Sequence, residues 1–164
     1  MLKNKKFADQ KIQLIIAGNR GWRFQNVFKV IKGANKELKD KYGEDKLIKY
    51  LGYVSNDDKL ALLQNSSCFA FPSLYEGFGL PVLEAMSFGI PVLTSNVSSL
   101  PEVCGDAAVL VNPDKINEIK EGLNKILTDT NLREQLSNKA QKRAEEFSWQ
   151  KTAKKTLEVY KSFA

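Results

Sequence analysis

Glu76 and Glu84 stand on either side of Gly77-Phe78-Gly79-Leu80-Pro81, and this short stretch holds the chain's most suggestive chemistry. Two glycines let a backbone come close to a ligand and take conformations that other residues avoid. The sequence turns helical after them, so the N–H groups of Gly79, Leu80 and Val82, with the helix dipole, are expected to bind an anion without a basic side chain. Pro81 has no N–H to offer. Paired carboxylates also serve glycoside hydrolysis, roughly 5 to 10 Å apart across the bond. The glycines between them favour a nucleotide site instead. The plainer readings are a solvated helix residue for Glu84 and turn chemistry for the glycines. The stretch is not a dinucleotide fingerprint, because no third glycine follows three residues after Gly79.

Other chemistries are excluded by composition. The 164 residues contain no histidine, which removes imidazole bases, Cys-His pairs and His-ligated zinc. Cys68 and Cys104 show no C-x-x-C spacing, and a reduced, cytoplasmic chain is expected. No apolar run approaches the roughly 18 residues of a membrane span. The basic N-terminus is not followed by a signal-peptide pattern. The net charge of +6 is uneven: +8 over residues 1–50, −5 over 51–113 and +3 over 114–164. Most of the excess lies on stretches that read as helices, and no nucleic-acid-binding motif accompanies it. Nucleic acid is not an expected partner.

The elements that must position the glutamates follow from periodicity. Ile12–Ala17 reads as a buried strand ending at Gly18, and Phe24 to Lys39 as a helix with Val27, Val30, Ile31, Ala34 and Leu38 at helical spacing. Leu47–Leu51 is a second strand, and Ser55 to Asp58 resembles a capping box for a short helix through Leu63. Cys68–Phe71 is a third strand and Pro81–Phe88 a helix, with proline at its first turn and Gly89 at its end. Pro91–Thr94 and Ala107–Val111 complete about five strands. From Asp114 the chain is helical, with Leu123, Ile126, Leu127, Leu132, Leu136, Leu157 and Tyr160 as candidate buried positions. Such alternation predicts α/β architecture, a Rossmann-like doubly wound parallel sheet with helices on both faces. Ligands of such sheets bind where the loops leave the strands' carboxyl ends, here after Ala17, Leu51, Phe71 and Thr94.

Ser73-Leu74-Tyr75-Glu76-Gly77-Phe78-Gly79-Leu80-Pro81-Val82-Leu83-Glu84-Ala85-Met86 resembles the donor-site signature of the family 4 (group 1) retaining glycosyltransferases of GT-B fold. The likeness continues through Gly89-Ile90-Pro91-Val92, Leu100-Pro101-Glu102-Val103, Gly105-Asp106-Ala107-Ala108 and Pro113, and ends near Phe147-Ser148-Trp149. It implies that Glu76 contacts the donor sugar hydroxyls and faces the reacting end, as the catalytic residue. It implies that the backbone of Gly77, Phe78, Gly79 and Leu80 approaches sugar and diphosphate, and that Glu84 bonds the ribose hydroxyls. Gly18 and the Gly52-Tyr53-Val54 turn would lie beside the donor, the turn next to the base. Carboxylates accept strongly from hydroxyls, and preorganised N–H groups stabilise a diphosphate leaving group.

The resemblance further implies hexose transfer from a nucleotide diphosphate sugar, GDP-mannose or a UDP-hexose, with retained configuration and without metal or other cofactor. Bacterial polysaccharide or glycolipid synthesis is the expected setting. Arg20 or Arg23 would reach a phosphate or the acceptor, or simply be exposed loop charges. Measured against the family, Met1–Lys6 matches only the end of the helix that follows a first strand and a basic loop. The chain is therefore expected to be a truncated C-terminal donor domain, residues 1–164, without that strand, its basic loop or the N-terminal domain. A carbohydrate or lipid-linked acceptor would bind through that other domain, peripheral membrane association is possible for the parent protein, and the chain alone is expected to be inactive. A non-catalytic nucleotide-binding module is the alternative.

Overall fold

The computed structural model describes residues 12–21, 24–43 and 47–163; Met1–Lys6, Trp22 and Arg23 lie outside the described residues. The chain divides into two compact units, Met1–Leu62 and Leu63–Ala164. Five strands, all in parallel pairings, and seven helices are seen among the described residues.

In the first unit, β1 (Leu14–Ala17) pairs with β2 (Ile48–Gly52), with an irregularity in register between Ile16 and Ala17. Between them runs α1 (Gln25–Tyr42), longer at its end than Lys39. Gly43 stops it in a left-handed conformation (φ 70°), its N–H bonding to the Lys39 carbonyl, as helix ends commonly do. Leu38 and Leu47 form the buried centre, with Ile12, Tyr42 and Ile48 against them. Asn35 fastens helix to strand: its Nδ2 donates to the Ile48 carbonyl (2.8 Å) and its Oδ1 accepts from the Ile48 N–H (2.9 Å). After β2, Ser55 caps α2 (Asn56–Gln64) by accepting from the Asp58 N–H at 3.1 Å. The Ser55 hydroxyl donates to the Asp58 carboxylate at 2.7 Å, a variation on the reciprocal capping box.

The second unit is a three-stranded sheet in the order β3 (Phe69–Phe71), β4 (Val92–Ser95), β5 (Ala108–Val111). Every residue of β4 is buried, as expected of a strand with neighbours at both edges and helices on both faces. Side chains alternate between two cores. Val92 packs with Val82, Ala85 and Met86 of α3 (Leu80–Ser87) and with Leu100 and Cys104 of α4 (Leu100–Cys104). Leu93, one residue on, packs on the other face with Val111, Ile126 of α5 (Ile116–Thr128) and Leu136 of α6 (Thr130–Glu145). Gly122 lets α5 lie close to the sheet: a Cβ there would stand 2.6 Å from Leu93 Cδ1 and 3.2 Å from Val109 Cγ1.

One expectation needs correction. Leu157 and Tyr160 of α7 (Trp149–Ser162) are 52% and 71% exposed, and that helix buries no residue. Helical periodicity reports that one face is apolar, not that another element covers it. Val27 and Val30 of α1 are likewise exposed, although Leu38 on the same helix is buried. Leu100–Cys104 forms a further helical turn, to which the sequence reading assigns no element. Pro101 lies in its first turn, where its missing N–H costs nothing.

Candidate functional site

At the carboxyl end of the three-stranded sheet, the loop leaving β3 is tied to the segment leaving β4 by hydroxyl groups. Thr94 and Ser95 are wholly buried. The Thr94 hydroxyl donates to the Phe71 carbonyl (2.8 Å) and that of Ser95 to the Ser73 carbonyl (2.6 Å). Two residues past Asn96, the Ser98 hydroxyl donates to the Glu76 carbonyl (2.6 Å) and accepts from the Glu76 N–H (2.9 Å). Ser99 Oγ lies 3.0 Å from both the Glu76 and the Phe78 carbonyl oxygens. On the glutamate itself, the Ser73 hydroxyl donates to Oε1 at 2.8 Å. Glu76 is thus held through its N–H, its carbonyl and its carboxylate. None of these serines was singled out by spacing. The one available signal was the run Thr94-Ser95-Asn96-Val97-Ser98-Ser99 just past an apolar strand, where short hydroxyl side chains compete well for loop backbone.

Gly79 makes the turn into α3. Its φ is 102°, and an added Cβ would stand 2.7 Å from Leu100 Cδ2, so neither the conformation nor the space admits a side chain. The Gly79 carbonyl accepts from the Val82 N–H (2.9 Å) and the Leu83 N–H (3.2 Å). This corrects one expectation: the first turn closes on itself, and Val82 cannot present its N–H to a ligand. No acceptor among the described residues takes the Gly79 or Leu80 N–H. Phe78, 41% exposed, meets Phe147 edge-on with ring centroids 5.8 Å apart. Arg143 lies 5.0 Å from the centre of the Phe147 ring and donates to the Val103 and Glu102 carbonyls that end α4. The Phe147-Ser148-Trp149 stretch therefore supports the glycine loop as well as starting α7, with Ser148 accepting from the Lys151 N–H. Glu84 is half-buried, one turn into α3, while Val82, Ala85 and Met86 face the core. One loop and helix thus bring together Glu76, Gly77, Phe78, Gly79, Leu80 and Glu84.

The remaining expected residues belong to the first unit. Gly18 takes φ 141°, donates its N–H to the Gly52 carbonyl (2.8 Å) and accepts from the Tyr50 hydroxyl (2.8 Å). Both its backbone groups are engaged, so it shapes the end of β1 rather than offering a donor. Tyr53 is exposed and Val54 half-buried beyond Gly52. Arg20 stacks on Phe24 and Phe28, 5.5 and 5.4 Å from their ring centres, a placement that holds a guanidinium by cation–π attraction.

Neither cysteine offers a nucleophile. Burial pushes the Cys68 thiol up to about 12 and that of Cys104 up to about 11, the nearby Arg143 charge opposing only part of the second shift. A thiol is reactive as thiolate. Among the described residues, no three His, Cys, Asp or Glu side chains gather as a metal site would require.

A parallel sheet covered on both faces, with a glycine-bearing loop entering a helix at a strand's carboxyl end, defines a Rossmann-like α/β domain. The pattern described as "Glycosyl transferases group 1" matches residues 1–143, and the chain belongs to that family. O-antigen chain mannosyltransferase B of Escherichia coli is 38% identical over 148 residues, 90% of this chain and 37% of that protein. The MMP alpha-(1->4)-mannosyltransferase of Mycolicibacterium hassiacum is 35% identical over 132 residues, 78% of this chain and 32% of that protein. The chain thus spans about a third of the length of these two relatives. Among solved structures, Anabaena Alr3699/HepE in complex with UDP and glucose superposes with a TM-score of 0.74 at 21% identity, over 98% of this chain and 45% of that one. The C-terminal domain of a group 1 family glycosyl transferase (LpcC) from Francisella tularensis gives 0.66 at 20% identity, over 88% of this chain and 92% of that one. These likenesses establish the fold, that of GT-B glycosyltransferases.

Proposed function

We propose that these 164 residues bind the donor of a hexosyltransferase that moves a sugar from a nucleotide diphosphate sugar to an acceptor hydroxyl. The observation that carries this is the triple fastening of Glu76, by Ser98 on its backbone and Ser73 on its carboxylate, beside a glycine turn whose Gly79 and Leu80 N–H groups find no acceptor among the described residues. A carboxylate held in this way suits the donor sugar hydroxyls, and the N–H groups suit a diphosphate whose charge grows as the bond breaks. Glu84 holds the ribose. For Gly18, Tyr53 and Val54 the proposed part is the one the resemblance implies, contact with the donor, the turn with its base.

Mannose is the proposed sugar and GDP-mannose the donor, because relatives over 35% identical carry the name mannosyltransferase. A UDP-hexose is the alternative, since a fold neighbour was solved with UDP-glucose. Retention of configuration, independence of metal and a role in bacterial polysaccharide synthesis in the cytoplasm complete the reading. The acceptor binds outside these residues, so they transfer no sugar alone. A transfer assay with the full-length protein, GDP-mannose and UDP-glucose, in chelator, tests it. Mannosyl product with the anomeric configuration of the donor is expected; a product of inverted configuration, or transfer that chelator stops, overturns the corresponding part.

A further inference from the structure

Ser98 is the one residue other than glycine with positive φ (59°) among the described residues. L-residues seldom adopt that region, and where they persist in it a functional constraint is a common reason. Glycine would sit there without strain, so what serine adds is its hydroxyl. That hydroxyl is saturated. It donates once, to the Glu76 carbonyl, and accepts twice, from the Glu76 N–H and the Ser99 N–H (2.6 Å), the full capacity of a serine oxygen. The strained backbone therefore aims a hydroxyl at both polar groups of one residue 22 positions earlier, and that residue is the glutamate. Ser98 is itself exposed, so the contact is not a by-product of filling the core.

Resting on the donor-site reading above, we propose that Ser98 is a positioning residue, which sets where Glu76 stands relative to the donor sugar. It touches the backbone of Glu76 and acts through it. Ser99, bonded to the Glu76 and Phe78 carbonyls, extends the same bracket to the glycine turn. The effect is directional. Displacing Glu76 disturbs the sugar, whereas the diphosphate and ribose meet α3 through Gly79, Leu80 and Glu84.

The test compares Ser98→Gly, which removes hydroxyl and strain together, with Ser98→Ala, which removes the hydroxyl alone, in the full-length protein. Affinity for GDP and for GDP-mannose is measured separately by calorimetry, along with kcat, KM and the exchange rate of the Glu76 amide. Both variants are expected to keep GDP affinity within about twofold. Both are expected to lose about tenfold in kcat, as broken hydrogen bonds to a positioned group would cause, and to exchange the Glu76 amide faster while the β4 amides stay protected. In a Glu76→Gln background, Ser98→Gly is expected to have little further effect. Wild-type kcat in Ser98→Gly, or equal losses of GDP and GDP-mannose affinity, would overturn the proposal. If the wild-type protein binds no nucleotide, the donor-site reading fails instead, and unchanged exchange at the Glu76 amide in both variants would independently refute the bracket.

Discussion

Glu76 and Glu84 share one loop and helix, yet their settings differ, and the proposed function gives them different work. Glu76 is held by Ser73, Ser98 and Ser99 at the end of the sheet, and Glu84 rides on a helix whose opposite side is core. Glu76→Gln is therefore expected to lower kcat by about a hundredfold or more, the scale of a lost group that acts in the transition state, with GDP affinity kept. Glu84→Ala is expected to weaken GDP by about tenfold, as a lost charge-assisted hydrogen bond would. Paired steady-state kinetics and calorimetry separate the two roles. Gly79→Ala places a methyl group against Leu100 and forces φ 102° on a residue with a side chain. A stability loss of about 1–3 kcal/mol is expected from backbone strain of this kind, read from the urea midpoint. The buried thiols add a pH dependence. Their folded pKa values, about 12 and 11, lie above the ordinary 9.0. The stability they contribute is complete below pH 9 and falls as pH rises through the folded values. A Cys68→Ala/Cys104→Ala variant is expected to lack that alkaline component when midpoints are compared from about pH 7 to 11.

The elements holding these residues are fastened at their ends. Asp129 ends α5 and caps α6, its Oδ1 accepting from the Leu132 N–H at 3.0 Å, and Arg133 covers the Ile126 and Leu127 carbonyls. Asp129→Ala is expected to cost about 1 kcal/mol, the usual worth of an N-cap, measured by urea denaturation. Apolar runs and glycine-proline punctuation made the strands and α3 legible to within one or two residues. Gly79 could be recognised because only glycine turns that corner. Ser98 could not, because a serine at φ 59° looks in sequence like any loop serine and its partner is 22 residues away. The engagement of the Val82 N–H is not legible either, because the first turn of α3 closes on the Gly79 carbonyl, a local tightening that composition does not encode. The exposure of Leu157 and Tyr160 is not legible, because periodicity marks a helix face and not its neighbour.

For the molecule as a whole, net charge does not point to the site. The stretch from residue 51 to 113, which contains the β3 loop and α3, is net −5, while the excess of lysine lies elsewhere in the chain. On the proposed reading, backbone N–H groups and a helix end, rather than lysines, would meet the diphosphate. The central claim is that the chain carries a donor site, and one titration addresses it most directly. The wild-type chain and its Glu84→Ala variant are titrated calorimetrically with GDP, GDP-mannose, UDP, UDP-glucose and ADP without added metal. Saturable binding to GDP and GDP-mannose that is weakened about tenfold by Glu84→Ala is the predicted result. Heat from none of the five, or equal affinity in the variant, would contradict it.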